Sequence, residues 1–354
     1  MLYTNLLSNR GELIIQFCGR TANGRLKQKR KDSINIAAWN VRTLQDNASA
    51  MERRTAILAK ELNRYNIDIV ALSETRLPDS GQLEERGSGY TFFWSGRPRD
   101  EHRQAGVGFA IRNKYIKLLD KLPLGINDRL MTLRLKMTYG HVTIISAYAP
   151  TMTHTDETKE EFYEELDRLI EATPHADKLL LLGDFNARVG CDHISWNKVL
   201  GHHGIGKENS NGTLLLTLCA TRQLVITNTL FQQKTSYKTT WSHPRSGHWH
   251  QIDFVIIRQR NWHDVKSTRA LKGTTCLSDH ALIRSKVSFS FKQKRRHQRT
   301  LVRKLNIAKL SSTTTHTQFE NHMTTSLTTF GDEDHGASDN HWEDMRTKVI
   351  QLSC

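Results

Sequence analysis

A run of four leucines, residues 179–182, is the feature that most constrains how this chain folds. It belongs to "LLLLGDFNAR", residues 179–188. A continuous apolar run that stops at a glycine is typical of a strand buried on both faces of its sheet. The run leads to Asp184 and Asn186. Because alternate side chains of an extended chain point the same way, we expect both polar groups at one edge of the sheet. The alternative is an ordinary strand-end turn, in which they bond to nearby backbone.

The charge of the chain favours a polyanionic partner. The 354 residues carry a formal net charge of +15, and 37% of them are hydrophobic, which is enough for a substantial core. Because each phosphate that a basic surface neutralises releases counterions, nucleic acid is the first partner to consider. No apolar run approaches the roughly 18 residues that span a bilayer, so we expect no membrane partner. The apolar stretch at residues 12–18 lacks the pattern of a secretory signal.

Cysteine usage and two basic runs bear on where the protein works. The five cysteines are scattered without a C-x-x-C pair, as is typical of free thiols in a reducing, intracellular compartment. The runs "RLKQKRK" (25–31) and "KQKRRHQR" (292–299) favour nuclear targeting or nonspecific phosphate contact, and the alternative is a solvated tail. We therefore expect a nuclear protein.

The pattern between the basic runs predicts one domain over residues 34–291. Buried-strand patterns alternate there with amphipathic helices, and no Pro, Gly or Ser linker divides them. Parallel and hairpin signals occur together, which implies mixed sheets packed on each other and covered by helices. Within this domain "TSYKTTWS" (235–242) predicts an edge strand. We expect residues 1–33 to be a basic, disordered extension and residues 292–354 to be a basic linker with a polar tail.

Polar side chains recur at the ends of the predicted strands. Each has a structural explanation when taken alone: a turn cap, an ion pair such as Glu74 with Arg76, an edge aromatic, or a buried hydrogen-bonded carboxylate. Carboxylates are rarely placed beside apolar strands unless something compensates their charge, so the recurrence favours an active site. The residues are Asn40, Glu74, Tyr148, Asp184, Asn186, Asp253, Asp279 and His280.

A hard divalent cation would compensate these carboxylates. Mg²⁺, or Mn²⁺ in its place, takes one or two carboxylates together with waters and substrate phosphate oxygens. Phosphodiester hydrolysis also needs a base for the attacking water and donors for the phosphate, and Asp, His, Asn and Tyr suit these roles. A zinc site at His243, His248 and His250 is disfavoured, because a strand-like H-x-H without a nearby Cys is a weak signal.

Seven motifs, taken in order, resemble the endonuclease/exonuclease/phosphatase superfamily. Within it, the endonuclease domains of LINE-type (RTE/BovB-like) retrotransposons and the craniofacial development protein 2-like host proteins are most similar. The resemblance covers about residues 34–291 and implies a four-layer α/β sandwich, with two packed mixed β-sheets flanked by helices. The motifs are "WNVRTL", "IDIVALSET", "GVGFAI", "SAYAPT", "LLGDFNARVG", "HQIDFVI" and "SDHALI".

The resemblance implies a role for each strand-end residue. Glu74 corresponds to the principal Mg²⁺ ligand with Asn40 next to it, and Asp184 to the group that orients or deprotonates the attacking water beside the metal. Asn186 would hold the phosphate, and Asp279 would complete the polar cluster as a further candidate ligand.

The remaining candidates act on the phosphate and the leaving group. By the same resemblance, His280 would bond to the phosphate as a charged donor, steered by Asp253 behind it. Tyr148 would donate toward the scissile phosphate or the leaving group.

The chain departs from the family pattern at several positions. Many relatives carry Asp where this chain has Arg42, so a second metal ligand is missing or supplied elsewhere, and Arg42 is a candidate phosphate contact. His250 stands where abasic-site nucleases commonly have an aromatic residue, which argues against abasic-site specificity. The stretch "KENSNGTLLL" makes Asn209 or Asn211 a further candidate for the phosphate. No Y-x-D-D core of a reverse transcriptase follows, so we expect a lone nuclease domain, a fragment or a host-adopted copy.

Together these patterns predict a Mg²⁺-dependent endonuclease that nicks DNA and leaves a 3′-hydroxyl, derived from a retrotransposon and without a small-molecule cofactor. Two alternatives stay open. One is a phosphoesterase for inositol or lipid headgroups, which shares "SDH" but would be expected to carry "CDR" where this chain has "HQIDFVII". The other is a catalytically weak or inactive DNA- or chromatin-binding module. The sequence carries no signal for the oligomeric state.

Overall fold

The computed structural model describes residues 33–46, 52–274, 278–289 and 312–328. The chain divides into two compact units, Met1–Lys292 and Gln293–Cys354. The predicted basic extension before residue 33, and the basic run at residues 292–299, lie outside the described residues.

Strands and helices alternate through the first unit, as the hydrophobic pattern predicts. In chain order the strands are β1 (Ser33–Asn40), β2 (Ile69–Ser73), β3 (Ser80–Glu85), β4 (Tyr90–Ser95), β5 (Val107–Arg112), β6 (Leu119–Gly125), β7 (Leu130–Lys136), β8 (His141–Tyr148), β9 (Lys178–Asp184), β10 (Leu224–Ile226), β11 (Trp241–Ser242), β12 (Trp249–His250), β13 (Asp253–Arg258), β14 (Val265–Leu271) and β15 (Leu282–Ser288). The α-helices are α1 (Arg54–Arg64), α2 (Asn113–Ile116), α3 (Asp156–Ala172) and α4 (Ser210–Thr221), with 3-10 turns at Thr227–Thr229, Thr235–Tyr237 and Gln259–Asp264.

Two large mixed sheets form the body of this unit. One has the strand order β14-β15-β1-β2-β5-β4-β3, and the other has the order β10-β13-β9-β8-β7-β6. Strands β1 and β2 pair in parallel in the first sheet, as do β8 and β9 in the second, and their other neighbours are antiparallel. The carboxyl ends of both parallel pairs carry the predicted polar residues.

The two sheets pack face to face, and helices cover their outer faces. Ile36 and Leu182 belong to the apolar core between the sheets. Leu62 of α1 packs in a separate cluster with the outer face of the first sheet. Phe162 of α3 and Leu215 of α4 do the same for the second sheet. The predicted four-layer α/β sandwich is therefore confirmed.

The leucine run forms β9 and is buried on both faces, as predicted. Alternate leucines pack into the core between the sheets and under the helices. Gly183 follows with φ +154°, and a Cβ there would collide with the carbonyl oxygen of Ala147 on β8. The missing side chain lets β8 and β9 stay in close register to their ends, so that Tyr148 lies opposite Asp184.

The predicted edge strand at residues 235–242 is wrong. The chain forms a 3-10 turn at Thr235–Tyr237 and then only the two residues of β11, which pair with β12 in a small separate sheet. The apolar and β-branched residues there favour a strand, but tertiary packing overrides that local preference.

In the second unit the structure describes one helix, α5 (Thr313–Thr328). None of the helices in the described ranges is long and apolar enough to cross a membrane. Cys191 and Cys219, both in the first unit, are free thiols, in agreement with the predicted cysteine state.

Candidate active site

The predicted polar residues meet where the carboxyl ends of β1, β2, β8 and β9 lie at one rim of the two sheets. Asn40 is the last residue of β1, and Glu74 follows the last residue of the neighbouring β2. Tyr148 ends β8 opposite Asp184, which ends β9, and Asp184 lies in turn opposite Asp253 at the start of β13. The strand pairing alone thus brings residues from widely separated segments to one place.

Asn40 links the two sheets at this rim. Its Nδ2 donates to Glu74 Oε1 over 2.8 Å and to Asp184 Oδ2 over 3.0 Å. Its Oδ1 accepts a hydrogen bond from the backbone nitrogen of Arg42 over 3.0 Å. The amide is buried and bonded through both its nitrogen and its oxygen, so Asn40 positions two carboxylates.

Glu74 is the carboxylate most open to solvent among the central residues of the rim. Its side chain is 17% exposed, and its backbone has φ +55°. Tyr148 Oη donates to Glu74 Oε1 over 3.0 Å, and Arg76 Nη2 donates to Glu74 Oε2 over 2.8 Å. The ion pair that the sequence offered as the structural alternative for Glu74 is therefore present, alongside its place in the polar cluster.

Tyr148 is held as a neutral hydrogen-bond donor. Burial raises the pKa of its hydroxyl, and the negative charges of Glu74 and Asp184 raise it further. The guanidinium of Arg129 lies 5.2 Å from the centroid of the Tyr148 ring, and its Nη1 donates to the Tyr148 carbonyl over 3.3 Å. Arg129 therefore fixes the aromatic side chain from behind.

A buried triad of Asp184, Asp253 and His280 lies next to Asn40. The Nδ1 of His280 is 3.0 Å from Asp253 Oδ2 and 3.9 Å from Asp184 Oδ2. Burial alone would lower the pKa of His280, but the adjacent Asp253 carboxylate raises it above its ordinary value. The imidazole is accordingly held in its charged form by Asp253.

The pKa of the Asp184 carboxyl lies above its ordinary value. Burial raises its pKa and the charge of Asp253 raises it further, while the charge of His280 and the hydrogen bonds from Asn40 and the Asn186 nitrogen only partly offset these effects. The second oxygen of Asp253, Oδ1, is buried and has no hydrogen-bond partner within the described residues. A carboxylate with a raised pKa next to a charged imidazole is the arrangement expected of a general base and its partner.

The residues present fit a hard cation at Glu74. Its side chain is partly exposed, so waters and substrate oxygens can reach an ion there, as Mg²⁺ requires. Among the described residues, the Asp184, Asp253 and His280 atoms also lie within 4.8 Å of one another and form a group able to hold a metal. That group is buried and already joined by hydrogen bonds, which leaves little room for the water ligands that Mg²⁺ keeps.

Asn186 reaches the rim by a different route from the one predicted. The chain leaves the extended conformation after Asp184, since Asn186 has φ +47°, and the two-residue alternation of a strand no longer applies. The Asn186 backbone nitrogen donates to Asp184 Oδ1 over 2.9 Å, and its side-chain Nδ2 donates to the carbonyl of Ala149 over 2.9 Å. The strand-end turn is therefore present, and it is also what holds the Asp184 carboxylate in place.

Asn209 and Asn211, at the start of α4, support the turn that follows Asp184. Asn209 caps α4 by accepting from the Gly212 nitrogen over 2.8 Å. Asn211 is fully buried, and its Nδ2 donates to the carbonyl of Pro150 over 2.9 Å and to that of Asn186 over 3.3 Å. These contacts join both amides to backbone groups of the turn, while the Asn211 Oδ1 is buried without a hydrogen-bond partner among the described residues. The contact of either residue with a phosphate stays a prediction.

Asp279 and Arg42 lie at the outer side of the rim. Asp279 is exposed and accepts from Trp241 Nε1 over 3.1 Å, and the Arg42 Nε lies 3.8 Å from its Oδ1. None of the hydrogen bonds and ion pairs found within the described residues joins Asp279 to Glu74 or Asn40. The side chain of Arg42 is 60% exposed, and its contact with a phosphate stays a prediction.

The sequence analysis did not identify two residues, Ser278 and Trp39, that hold Asn40 and His280 in place. Ser278 Oγ donates to the Asn40 carbonyl and accepts from the His280 nitrogen, so it ties the "SDH" motif to β1. Trp39 Nε1 donates to the His280 carbonyl over 3.0 Å. Both residues are adjacent to or within motifs already recognised, and that adjacency was the available signal.

Comparison with known proteins supports the same family as the motifs. The model of the Endonuclease/Exonuclease/phosphatase family matches residues 37–280. Craniofacial development protein 2 of Bos taurus is 32% identical over 262 residues, which are 74% of this chain and 42% of that protein. The chain thus spans less than half the length of the curated relatives it matches.

Solved structures are similar in fold at low sequence identity. A variant of the 3′ phosphatase NExo from Neisseria, bound to a product DNA hairpin, has a TM-score of 0.52 at 18% identity, covering 72% of this chain and 99% of that one. The endonuclease domain of TRAS1, a telomere-specific non-LTR retrotransposon, has a TM-score of 0.49 at 14% identity, covering 72% and 98%.

Proposed function

Because the chain belongs to the endonuclease/exonuclease/phosphatase family, we propose that it is a Mg²⁺-dependent endonuclease that hydrolyses phosphodiester bonds of DNA. The cut would be a nick that leaves a 3′-hydroxyl. Retrotransposon ancestry belongs to the same proposal and is supported by the motif resemblance. Mn²⁺ is the alternative cation.

The observation that carries the proposal is the double hydrogen bond of Asn40. One amide nitrogen joins Glu74, the carboxylate suited to the cation, to Asp184, the carboxylate suited to the water. A base and a metal ligand must lie at a fixed separation to act on one phosphodiester bond, and a shared donor sets that separation. A purely structural polar cluster has no need for this link between the sheets.

Glu74 would hold the cation, with Arg76 and Tyr148 setting the orientation of its carboxylate. When bound, Mg²⁺ would neutralise charge on the phosphate and acidify water. The exposed fraction of Glu74 supports this assignment over the buried triad. Asp279, whose contacts run to Trp241 and Arg42, is retained only as an outer candidate ligand.

The other rim residues would act on the water, the phosphate and the leaving group. Asp184, held by Asn40 and the Asn186 nitrogen, would accept the proton of the attacking water. His280, kept charged by Asp253, would donate a hydrogen bond to a phosphate oxygen. Tyr148 would donate toward the scissile phosphate or the leaving oxygen.

DNA is the substrate that fits the charge of the chain. The net charge of +15 favours a phosphodiester backbone, and sequence preference would come more from groove shape than from base contacts. A nuclear location follows from the same logic and from the two basic runs.

The test is nicking of supercoiled plasmid by the full chain with Mg²⁺. We expect the wild type to nick and Glu74→Ala, Asp184→Ala and His280→Ala to lose nicking while retaining DNA binding. A matched control is Lys121→Ala, on the exposed strand β6 of the second sheet, which should nick like the wild type.

Each contrary outcome identifies an alternative. Nicking that survives all three rim substitutions would overturn the site. Binding without nicking by the wild type, under Mg²⁺ or Mn²⁺, would favour a DNA-binding module. Release of phosphate from inositol phosphates, with no action on plasmid, would favour a phosphoesterase.

A further inference from the structure

A basic groove lies on the outer side of the first sheet, away from the rim that carries the candidate active site. Arg269 on β14 and Arg284 on β15 line it together with Lys234 and Tyr237 from the segment that precedes β11. The groove is open and has a volume of about 890 Å³. Among the described residues, its lining contains no acidic side chain.

The two arginines face each other directly. Arg269 and Arg284 are cross-strand partners in the β14–β15 pairing. Like charges placed opposite each other on neighbouring strands destabilise a sheet unless an anion compensates them. Burial lowers the pKa of the Arg284 guanidinium, and the charge of Arg269 lowers it further.

The described part of the chain supplies no negative charge to compensate these two arginines. Within the described residues, no carboxylate lies at ion-pair distance from Arg269 or Arg284, and the Nε of Arg269 is buried without a hydrogen-bond partner. Arg134, a half-buried arginine on β7 of the other sheet, instead contacts two carboxylates at 2.7 Å each, Asp177 and Asp120. This contrast indicates that Arg269 and Arg284 can bind an anion from outside the protein.

The groove is preformed around these two groups. The Arg269 guanidinium lies 5.6 Å from the centroid of the Tyr237 ring, which holds the side chain over the groove. The Gln233 amide donates to the Thr268 carbonyl over 2.7 Å and so fastens the 232–237 segment to β14. Tyr237 is also exposed, and Lys234 beside it adds a third positive charge.

The chemistry of the lining selects an extended phosphate ligand. Two planar guanidinium forks, a lysine and no carboxylate suit phosphate oxygens. An open, polar groove does not enclose a small molecule as apolar pockets do. Arg284 on β15 follows His280 by four residues, which span at most about 13 Å when extended, or about four base pairs of duplex at ~3.4 Å each.

We propose that Arg269 and Arg284 form a second contact with the phosphodiester backbone of DNA, several base pairs away from the scissile bond. This inference rests on the proposed function for its substrate. It adds that productive binding needs a DNA segment long enough to reach both the rim and this groove.

The test measures DNA binding apart from cleavage. Fluorescence anisotropy of the full chain with a labelled 30-base-pair duplex, in EDTA, gives the affinity over a series of salt concentrations. The double variant Arg269→Gln/Arg284→Gln should bind about tenfold more weakly, and the slope of log K against log salt should fall by about 2. Lys121→Gln/Lys136→Gln removes the same amount of charge from the second sheet. It should change the affinity by no more than about twofold and leave the salt slope close to that of the wild type.

A second variant keeps the test valid if the double variant folds poorly. Lys234→Gln changes an exposed residue of the same groove, and the salt slope should fall by about 1. A slope unchanged from wild type in Lys234→Gln and in a folded double variant would overturn the inference. The inference would also be overturned if the Lys121/Lys136 control lost as much DNA affinity and salt slope as the arginine double variant.

Two further arms separate this inference from the proposed function. Plasmid that is never nicked, with a groove-dependent salt slope, would leave the DNA contact in place and remove only the nuclease. If the wild type nicks plasmid but the groove variants bind DNA with the wild-type salt slope, the proposed nuclease stands and the DNA contact at the groove is overturned. Loss of binding to phosphatidylserine vesicles in the double variant, with DNA affinity unchanged, would overturn the inference in favour of a membrane surface.

Discussion

Strand β9 has an aspartate near each end, and their surroundings are opposite. Asp177, just before the strand, accepts from Arg134 Nε over 2.7 Å, from Arg134 Nη2 over 3.1 Å and from Thr143 Oγ1 over 2.9 Å. Asp184, at the other end, accepts from Asn40 and from the Asn186 nitrogen and lies opposite Asp253. Asp177 is paired directly with one arginine, whereas Asp184 is buried between the carboxylate of Asp253 and the imidazole of His280, whose Nδ1 lies 3.9 Å from Asp184 Oδ2.

The pKa directions express the same difference. Burial alone would raise the pKa of Asp177, but the hydrogen bonds from Arg134 and Thr143 lower it below its ordinary value. Burial and Asp253 raise the pKa of Asp184. A buried carboxylate whose surroundings raise its pKa is typical of a functional site, so the comparison predicts a structural role for Asp177 and a catalytic role for Asp184.

The largest effect is expected at Glu74, the carboxylate that we propose as the metal ligand. Glu74→Gln should lower the nicking rate by about 10³-fold, close to 4 kcal/mol of activation free energy, because the amide cannot neutralise a cation. The melting temperature should fall only slightly, because Gln can keep the contacts with Asn40 and Tyr148 and loses only the partly exposed ion pair with Arg76. Nicking within about threefold of wild type would place the cation elsewhere.

The charged donor should have the next largest effect. His280→Gln should lower nicking by about 10²-fold through loss of the imidazolium beside the phosphate. Asp253 then loses its partner, so the stability should also fall, as chemical denaturation would reveal. An unchanged rate would contradict the role of His280 and leave it as a structural partner of Asp253.

At the structural end of β9 the effect should fall on stability alone. Arg134→Gln should lower the free energy of unfolding by about 2–3 kcal/mol at pH 7, because the buried Asp177 loses its cation. The lowered pKa of Asp177 stabilises the fold above the unfolded value of about 3.9 and ceases to do so as Asp177 takes up its proton.

The difference between wild type and Arg134→Gln should therefore shrink as the pH falls below about 4. Urea unfolding at several pH values measures it, and the plasmid assay provides the control, since nicking at pH 7 should be unchanged. A difference that stays constant with pH would contradict the ion-pair explanation.

The smallest effect is expected at the helix cap below the rim. Asn209→Ala removes the acceptor for the Gly212 and Arg188 nitrogens and should cost about 1 kcal/mol of stability. Because Asn209 supports the turn but is not assigned a contact with phosphate, nicking should fall less than tenfold. A 10²-fold loss of nicking in a stable variant would restore the predicted phosphate contact.

Much of the site was accessible from sequence because buried strands and terminal polar residues leave a clear pattern. The leucine run fixed β9, and its length placed Asp184 at the rim. The turn after it was not accessible in the same way, because the positive φ of Asn186 depends on its hydrogen bond to Ala149, which is distant in sequence.

The basic groove shows what pattern reasoning cannot reach. Arg269 and Arg284 belong to different strands, and their pairing depends on a register shift between Val265 and Ser267 in β14. A one-residue difference in register moves a side chain to the other face of the sheet, and no local sequence signal marks this shift.

The most direct test of the central claim applies one substitution to both ends of β9. Asp184→Asn and Asp177→Asn each remove one negative charge from a buried carboxylate. We predict that Asp184→Asn lowers the rate of plasmid nicking at least about 10³-fold and keeps its melting temperature close to wild type, while Asp177→Asn nicks normally and melts at a lower temperature. Equal nicking by the two variants would contradict the account.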